Sequence, residues 1–202
     1  MSLYLMLALG ASMSYIIGIK TTRKISKFFR YISYSFPAVL SVLNPSPQII
    51  LFTFLVSFAE LFMDYKIELG IIFFTIAYSF YGIFAIIISS VFWWQLALTA
   101  FIFVMILEFA VWTIWKQEKI IKILIMLYII FAIYPIIFTI LNCEPLIKLS
   151  SSLLFLGDLF LAISFYNKNI KQITDKIHPD IIMIVSQILF YCGCGMATSI
   201  LS

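Results

Sequence analysis

The chain has 202 residues, 64% of them hydrophobic and only 11% charged, with a mean hydropathy of +1.13 and a formal net charge of +4. About a quarter of residues are charged in soluble domains, so this composition excludes one. It predicts a single all-α integral membrane domain over residues 1–202, because long unbroken apolar runs satisfy their backbone in lipid only as helices.

At roughly 20 residues per span, the length allows about eight spans and no soluble domain. The first, 3–19, ends at a basic segment of Lys20, Arg23, Lys24, Lys27 and Arg30. No basic residue precedes it and no small-residue cleavage site follows, so it reads as a span and not as a removed signal. Span two, 31–43, is short, carries Pro37 and ends in the turn Asn44-Pro45-Ser46-Pro47. Span three, 48–63, contains Glu60; Asp64 to Glu68 closes it, and span four covers 69–89. The apolar stretch 69–115 is too long for one helix. It is expected to turn at Ser89-Ser90, with Trp93-Trp94 as interfacial anchors, before span five, 92–115, which holds Glu108. Span six, 120–141, contains Pro135, and span seven, 149–166, contains Asp158. A polar loop, 167–180, leads to span eight, 181–201.

The basic residues test this order. Besides the first loop's five, Lys66 falls in the third, Lys116, Lys119 and Lys122 at the fifth, and Lys168, Lys171 and Lys176 in the seventh, against Lys148 alone in the even loops. That bias predicts a cytoplasmic side for the odd loops and non-cytoplasmic termini, and it removes any need for a nucleic-acid partner. Spans three and seven then run the same way. Both carry the pattern small, acidic, Leu, Phe, large apolar, as Ala59-Glu60-Leu61-Phe62-Met63 and Gly157-Asp158-Leu159-Phe160-Leu161. Ala77-Tyr78 and Ser186-Gln187 echo more faintly in spans four and eight. The echo suggests a parallel duplication of four spans plus four.

Glu60, Glu108 and Asp158 are the embedded acids. They sit six to nine residues short of the basic side, roughly 9 to 14 Å deep at 1.5 Å per residue. A carboxylate at that depth is costly in hydrocarbon and marks a functional site. No basic residue lies there to neutralise it, so at least one acid is expected to stay protonated near neutral pH. A protonated acid beside an ionised one suits general acid work on a bond that develops positive charge. Glu108 reads as a helix-packing hydrogen bond; Glu60 and Asp158 read as a catalytic pair. Ser57, Tyr78, Tyr81, Ser152 and Gln187 are the polar groups expected to contact substrate, with Thr75 and Ser186 nearby; each alone also fits a packing hydrogen bond. Cys143, Cys192 and Cys194 form no metal pattern, His178 is a loop residue, and neither a metal nor a cofactor is expected.

The run from Leu153 to Ala162 with Phe165, then Ser186-Gln187-Ile188-Leu189, resembles the C-terminal signature of the lysoplasmalogenase (YhhN-like) family. Ser57, Ala59-Glu60, Phe74, Ala77-Tyr78 and Tyr81 resemble its earlier signature. The resemblance implies eight membrane helices and a hydrolase that cleaves the vinyl ether bond of lysoplasmalogens, releasing a fatty aldehyde, with the two acids at Glu60 and Asp158. It also implies a lysophospholipid substrate in a bacterial inner or ER-type membrane. The chain departs from the family at Glu60, where an Asp is expected, at Tyr78, where a His is expected, before Gln187, where Tyr residues are missing, and near Pro37, where a Lys is absent. A non-catalytic lipid-binding homologue and a proton-coupled carrier are the alternatives.

Overall fold

The computed structural model describes residues 2–20, 23–43, 46–88, 93–114, 119–166 and 179–201. Over these the chain is helical apart from short connections: α1 (Ser2–Lys20), α2 (Arg23–Leu43), α3 (Pro47–Tyr65), α4 (Ile67–Ile88), α5 (Trp93–Ile114), α6 (Lys119–Tyr128), a π-helical turn (Ile129–Ile133), α7 (Tyr134–Asn142), α8 (Pro145–Tyr166) and α9 (Pro179–Leu201). Among the described residues, the stretches Pro47–Tyr65, Ile67–Ile87, Lys119–Leu141 and Ile181–Thr198 are long and apolar enough to cross a membrane, and Met6–Ile19 is a shorter apolar helix. The expected turn at Ser89-Ser90, most of the polar loop with His178, and Lys116 lie outside the described residues.

The chain ends its helices where backbone chemistry requires it. Ser46 caps α3, its hydroxyl accepting the Ile49 N–H at 3.3 Å, and Pro47 follows at the first helical turn, where its missing N–H costs nothing. Lys66 leaves the helix in an extended conformation, and its N–H returns to the Phe62 carbonyl. α3 and α4 thus form a tight hairpin, sealed by the stacked rings of Phe62 and Phe73, 5.3 Å apart. α2 begins eight residues before the expected start of span two, because Arg23 to Arg30 continue the helix and do not form a loop.

Two prolines shape the interior. Pro37 disturbs the hydrogen-bond ladder of α2, and the Ser57 hydroxyl of α3 accepts the Ala38 N–H at 3.1 Å. Pro135 cannot donate to the Phe131 carbonyl, and the Ser79 hydroxyl of α4 donates to that oxygen instead, at 2.7 Å. The π-turn lies immediately before it, with Tyr134 N–H reaching back to the Ile129 carbonyl. α4 meets this region at Gly82, where a Cβ would collide with Pro135.

Neighbouring helices pack in chain order from α1 to α4. α4 then packs on α6, the π-turn and α7, α7 on α8, α8 on α9, and α9 back on α1, which closes a ring. α5 lies outside it against α7, while α9 also reaches α2 and α3. Small residues permit the closest approach: a Cβ on Gly157 would lie 3.1 Å from the backbone nitrogen of Phe190, and one on Gly193 would press on Leu154. Apolar side chains cover the outside as well as the core, and polar groups are admitted to the interior. Met6, Met13, Val42, Ile87 and Phe101 face outward, whereas Ser33, Thr53, Glu60, Thr139, Ser150, Ser151, Ser186 and Gln187 are buried. That is the arrangement a lipid solvent selects.

Candidate functional site

Three polar layers succeed one another along the ring. The first, partly exposed, sits near the start of α2 and the end of α3. Arg30 donates to Asp64 at 3.3 Å, Tyr34 donates to the same carboxylate at 2.9 Å, and the hydroxyls of Tyr31 and Tyr65 bond to each other.

One helical turn inward from Asp64, α3 presents Glu60, which is only 5% exposed. Tyr191 of α9 donates to Glu60 Oε2 at 3.3 Å, and Gln187, one turn earlier on α9, also hydrogen-bonds this carboxyl. The Tyr191 hydroxyl neighbours Ser33 of α2 as well. Gln187 Oε1 is a buried acceptor with no donor among the described residues.

Asp158 of α8 belongs to the same layer. Tyr78 of α4 donates to Oδ1 at 3.2 Å, and Tyr128, the last residue before the π-turn, donates to Oδ2. Tyr78 is fully buried and Asp158 half-buried. Asp158 lies within electrostatic range of Glu60, and Cys194 of α9 lies within range of both. The two acids therefore face one interior from separate helices. Their supports are crossed: the helix after Glu60 supplies the hydroxyl for Asp158, and the helix after Asp158 supplies the partners of Glu60.

The third layer is built on Tyr81. Its hydroxyl donates to Ser150 at 3.1 Å and lies 3.3 Å from Ser151; Thr139 bonds to Ser151, and Ser150 donates to the Gly193 carbonyl.

Of the residues singled out in the sequence, Glu60, Asp158, Tyr78 and Gln187 meet in the carboxyl layer. Ser57 instead accepts from the backbone beside Pro37, and Tyr81 belongs to the serine layer. Ser152 is half-buried on α8 and bonds to neither carboxyl. Ser186 donates to the Gly157 carbonyl, which ties α9 to α8, and the Thr75 hydroxyl bonds back to Ile71 of its own helix. Glu108 is on α5, with its side chain outside those described. Tyr128, Tyr191 and Tyr34 were not anticipated. The only signal for them was that a phenol at membrane depth needs an acceptor. Cys143, Cys192 and Cys194 are not in disulfides, and no group of three or more His, Cys, Asp or Glu able to hold a metal occurs among the described residues.

Among the described residues, fold and site together define a helical protein with membrane-grade helices and two phenol-bonded carboxyls, Glu60 buried and Asp158 half-buried. Comparison with family models, curated proteins and solved structures returned no match.

Proposed function

We propose that the protein is a membrane-embedded hydrolase of the lysoplasmalogenase type, which cleaves the vinyl ether bond of a lysophospholipid. The observation that carries this reading is that Glu60 and Asp158, on separate helices and within electrostatic range of one another, are each held by tyrosine hydroxyls. One acid protonates the vinyl carbon remote from the ether oxygen, and the oxygen lone pair forms an oxocarbenium ion. The other carboxylate stabilises that charge, where a low-dielectric interior strengthens the effect. Water adds to the cationic carbon and returns a proton to the acid. The hemiacetal then breaks its bond to the glycerol oxygen, giving a fatty aldehyde and the free alcohol. No metal or cofactor takes part in this sequence.

In the same reading the chain is a multi-pass protein of eight spans, with both termini non-cytoplasmic, in a bacterial inner or ER-type membrane. The crossed support of the two acids favours a duplication of four spans plus four. A second reading, a proton-coupled carrier, draws on the Arg30, Asp64 and Tyr34 cluster one turn from Glu60, a polar entry for protons.

The test is aldehyde release from a vinyl ether lysophospholipid by the purified protein. Wild type is expected to release aldehyde and Asp158→Asn to fall to background. Equal background rates for both reject the hydrolase, and proton flux in liposomes would then support the carrier.

A further inference from the structure

We propose that the cluster near the start of α2 and the end of α3, built on Lys27, Arg30, Tyr31, Tyr65 and Lys66, is a binding site for the phosphate of a glycerophospholipid headgroup. The site rests on the packing of α1, α2 and α3; that its lipid is the one cleaved rests on the hydrolase reading.

A topological charge bias needs only loose surface cations at this end of the chain. Arg30 is not loose. Its stem lies against α1, where a Cβ on Gly18 would come within 2.9 Å of Arg30 Cγ, and its guanidinium is tied to α3 through Nη1 and Asp64. Nε is left as a buried donor without a partner among the described residues. Together with the Nη2 beside it, Nε makes the planar fork that matches two oxygens of a phosphate. A buried donor is costly until an acceptor meets it, and Asp64 is turned to Nη1 and to the Tyr34 hydroxyl instead.

The surroundings favour an anion. Arg30 balances Asp64, while Lys27, three residues before Arg30 on α2, and Lys66, two residues after Asp64, are both exposed. The surplus charge of the cluster is therefore positive. The hydroxyls of Tyr31 and Tyr65 bond to each other beside it. Such a pair has two hydrogens and uses one between them, so the second is free to donate outward.

The same stretch of α2 places that anion at the surface of a bilayer. Ile25, Phe28 and Ile32 form an exposed apolar stripe on the side away from Arg30, which suits a helix bathed in lipid at the level of its own cations. Anions at that level are lipid phosphates. Glu60 lies one turn inward from Asp64, roughly 6 Å along α3. That is comparable to the reach of a three-carbon glycerol with phosphate at one end and an ether at the other. A lipid whose phosphate sits on Arg30 brings its ether bond to the level of the Glu60 carboxyl.

Native mass spectrometry of the purified full-length protein reads binding without turnover when the probe is a saturated ether lysophospholipid, which has no vinyl bond to cleave. Wild type is expected to bind it at least about tenfold more tightly than the matching ether glycerol, which lacks the phosphate. Arg30→Gln is expected to abolish that preference. Lys27→Gln, which alters an exposed side chain and spares the ion pair with Asp64, is expected to reduce it several-fold, with the ether glycerol bound as by wild type. Equal binding of the two probes by wild type, or a preference unchanged in both variants, would overturn the site. Inorganic phosphate that displaces the lipid at equal concentration would assign the cluster to a free anion and overturn the headgroup. An Arg30-dependent preference without aldehyde release from a vinyl ether substrate keeps the site and rejects the hydrolase; aldehyde release with KM unchanged in both variants keeps the hydrolase and rejects the site.

Discussion

Replacing Tyr128 with Phe removes one oxygen from the interior and little else. The Phe ring keeps its place 6.2 Å from the Tyr78 ring, and α6 retains its packing on α4. What is lost is the donor on Asp158 Oδ2, leaving Tyr78 on Oδ1 as the carboxylate's one remaining hydroxyl partner among the described residues. A hydrogen bond to a charged group contributes about 1.5 to 3 kcal/mol, which corresponds to about 10- to 150-fold in a rate if the carboxylate must be held for the transition state. The expected result is a loss of kcat/KM for aldehyde release in that range, carried mainly by kcat. Tyr78→Phe is expected to cost a comparable amount. Because both hydroxyls serve one carboxylate, the double variant should depart from additivity by about 0.5 to 3 kcal/mol. Steady-state kinetics on the four proteins of this cycle, with thermal unfolding in detergent as a control, supplies the numbers. A Tyr128→Phe protein within twofold of wild type, or strictly additive losses, would refute the claim that the two phenols act together on Asp158.

Other consequences follow from the same geometry. Ser57→Ala removes the hydroxyl that accepts the Ala38 N–H beside Pro37 and should destabilise the protein by about 0.5 to 1.5 kcal/mol, read as a lower Tm with KM unchanged. Gly157→Leu forces a side chain into the backbone of Phe190; it is expected to part α8 from α9, break the bond from Ser186 to the Gly157 carbonyl, and lower both Tm and activity. Pro135→Ala lets Ala donate to the Phe131 carbonyl and favours a regular helix. Removing the extra residue of a π-turn re-aims the preceding segment by about 100°, so Tyr128 should leave Asp158 and activity should fall more than Tm.

Much of the site was readable before the fold because acids are rare in this chain. Glu60 and Asp158 stood out against an apolar background, and their shared surroundings pointed to equivalent places in two halves. Their partners did not stand out. With 11 tyrosines in the sequence, nothing local separates Tyr128 and Tyr191, which bond to the acids, from Tyr81, which serves serines. That distinction depends on which helix lies across the ring, a long-range fact. Ser57 and Ser79 show a related limit. Each hydrogen-bonds backbone near a proline on another helix, so depth and polarity alone do not tell a packing partner from a substrate contact. Pro135 did mark an irregularity, but not that it would be a π-turn placing Tyr128. The helix start was expected no earlier than Phe28, whereas α2 begins at Arg23, because a charged segment is as free to be helical as an apolar one once outside hydrocarbon.

Hydrolysis in deuterated water tests the central claim most directly. Proton delivery from a carboxylic acid to the vinyl carbon leaves one solvent-derived hydrogen on the carbon next to the aldehyde. Wild-type protein turning over a vinyl ether lysophospholipid should therefore yield aldehyde carrying one deuterium at that carbon, at a rate abolished by Glu60→Gln. Aldehyde without that deuterium, or with the same yield from Glu60→Gln as from wild type, would contradict acid catalysis by the buried pair.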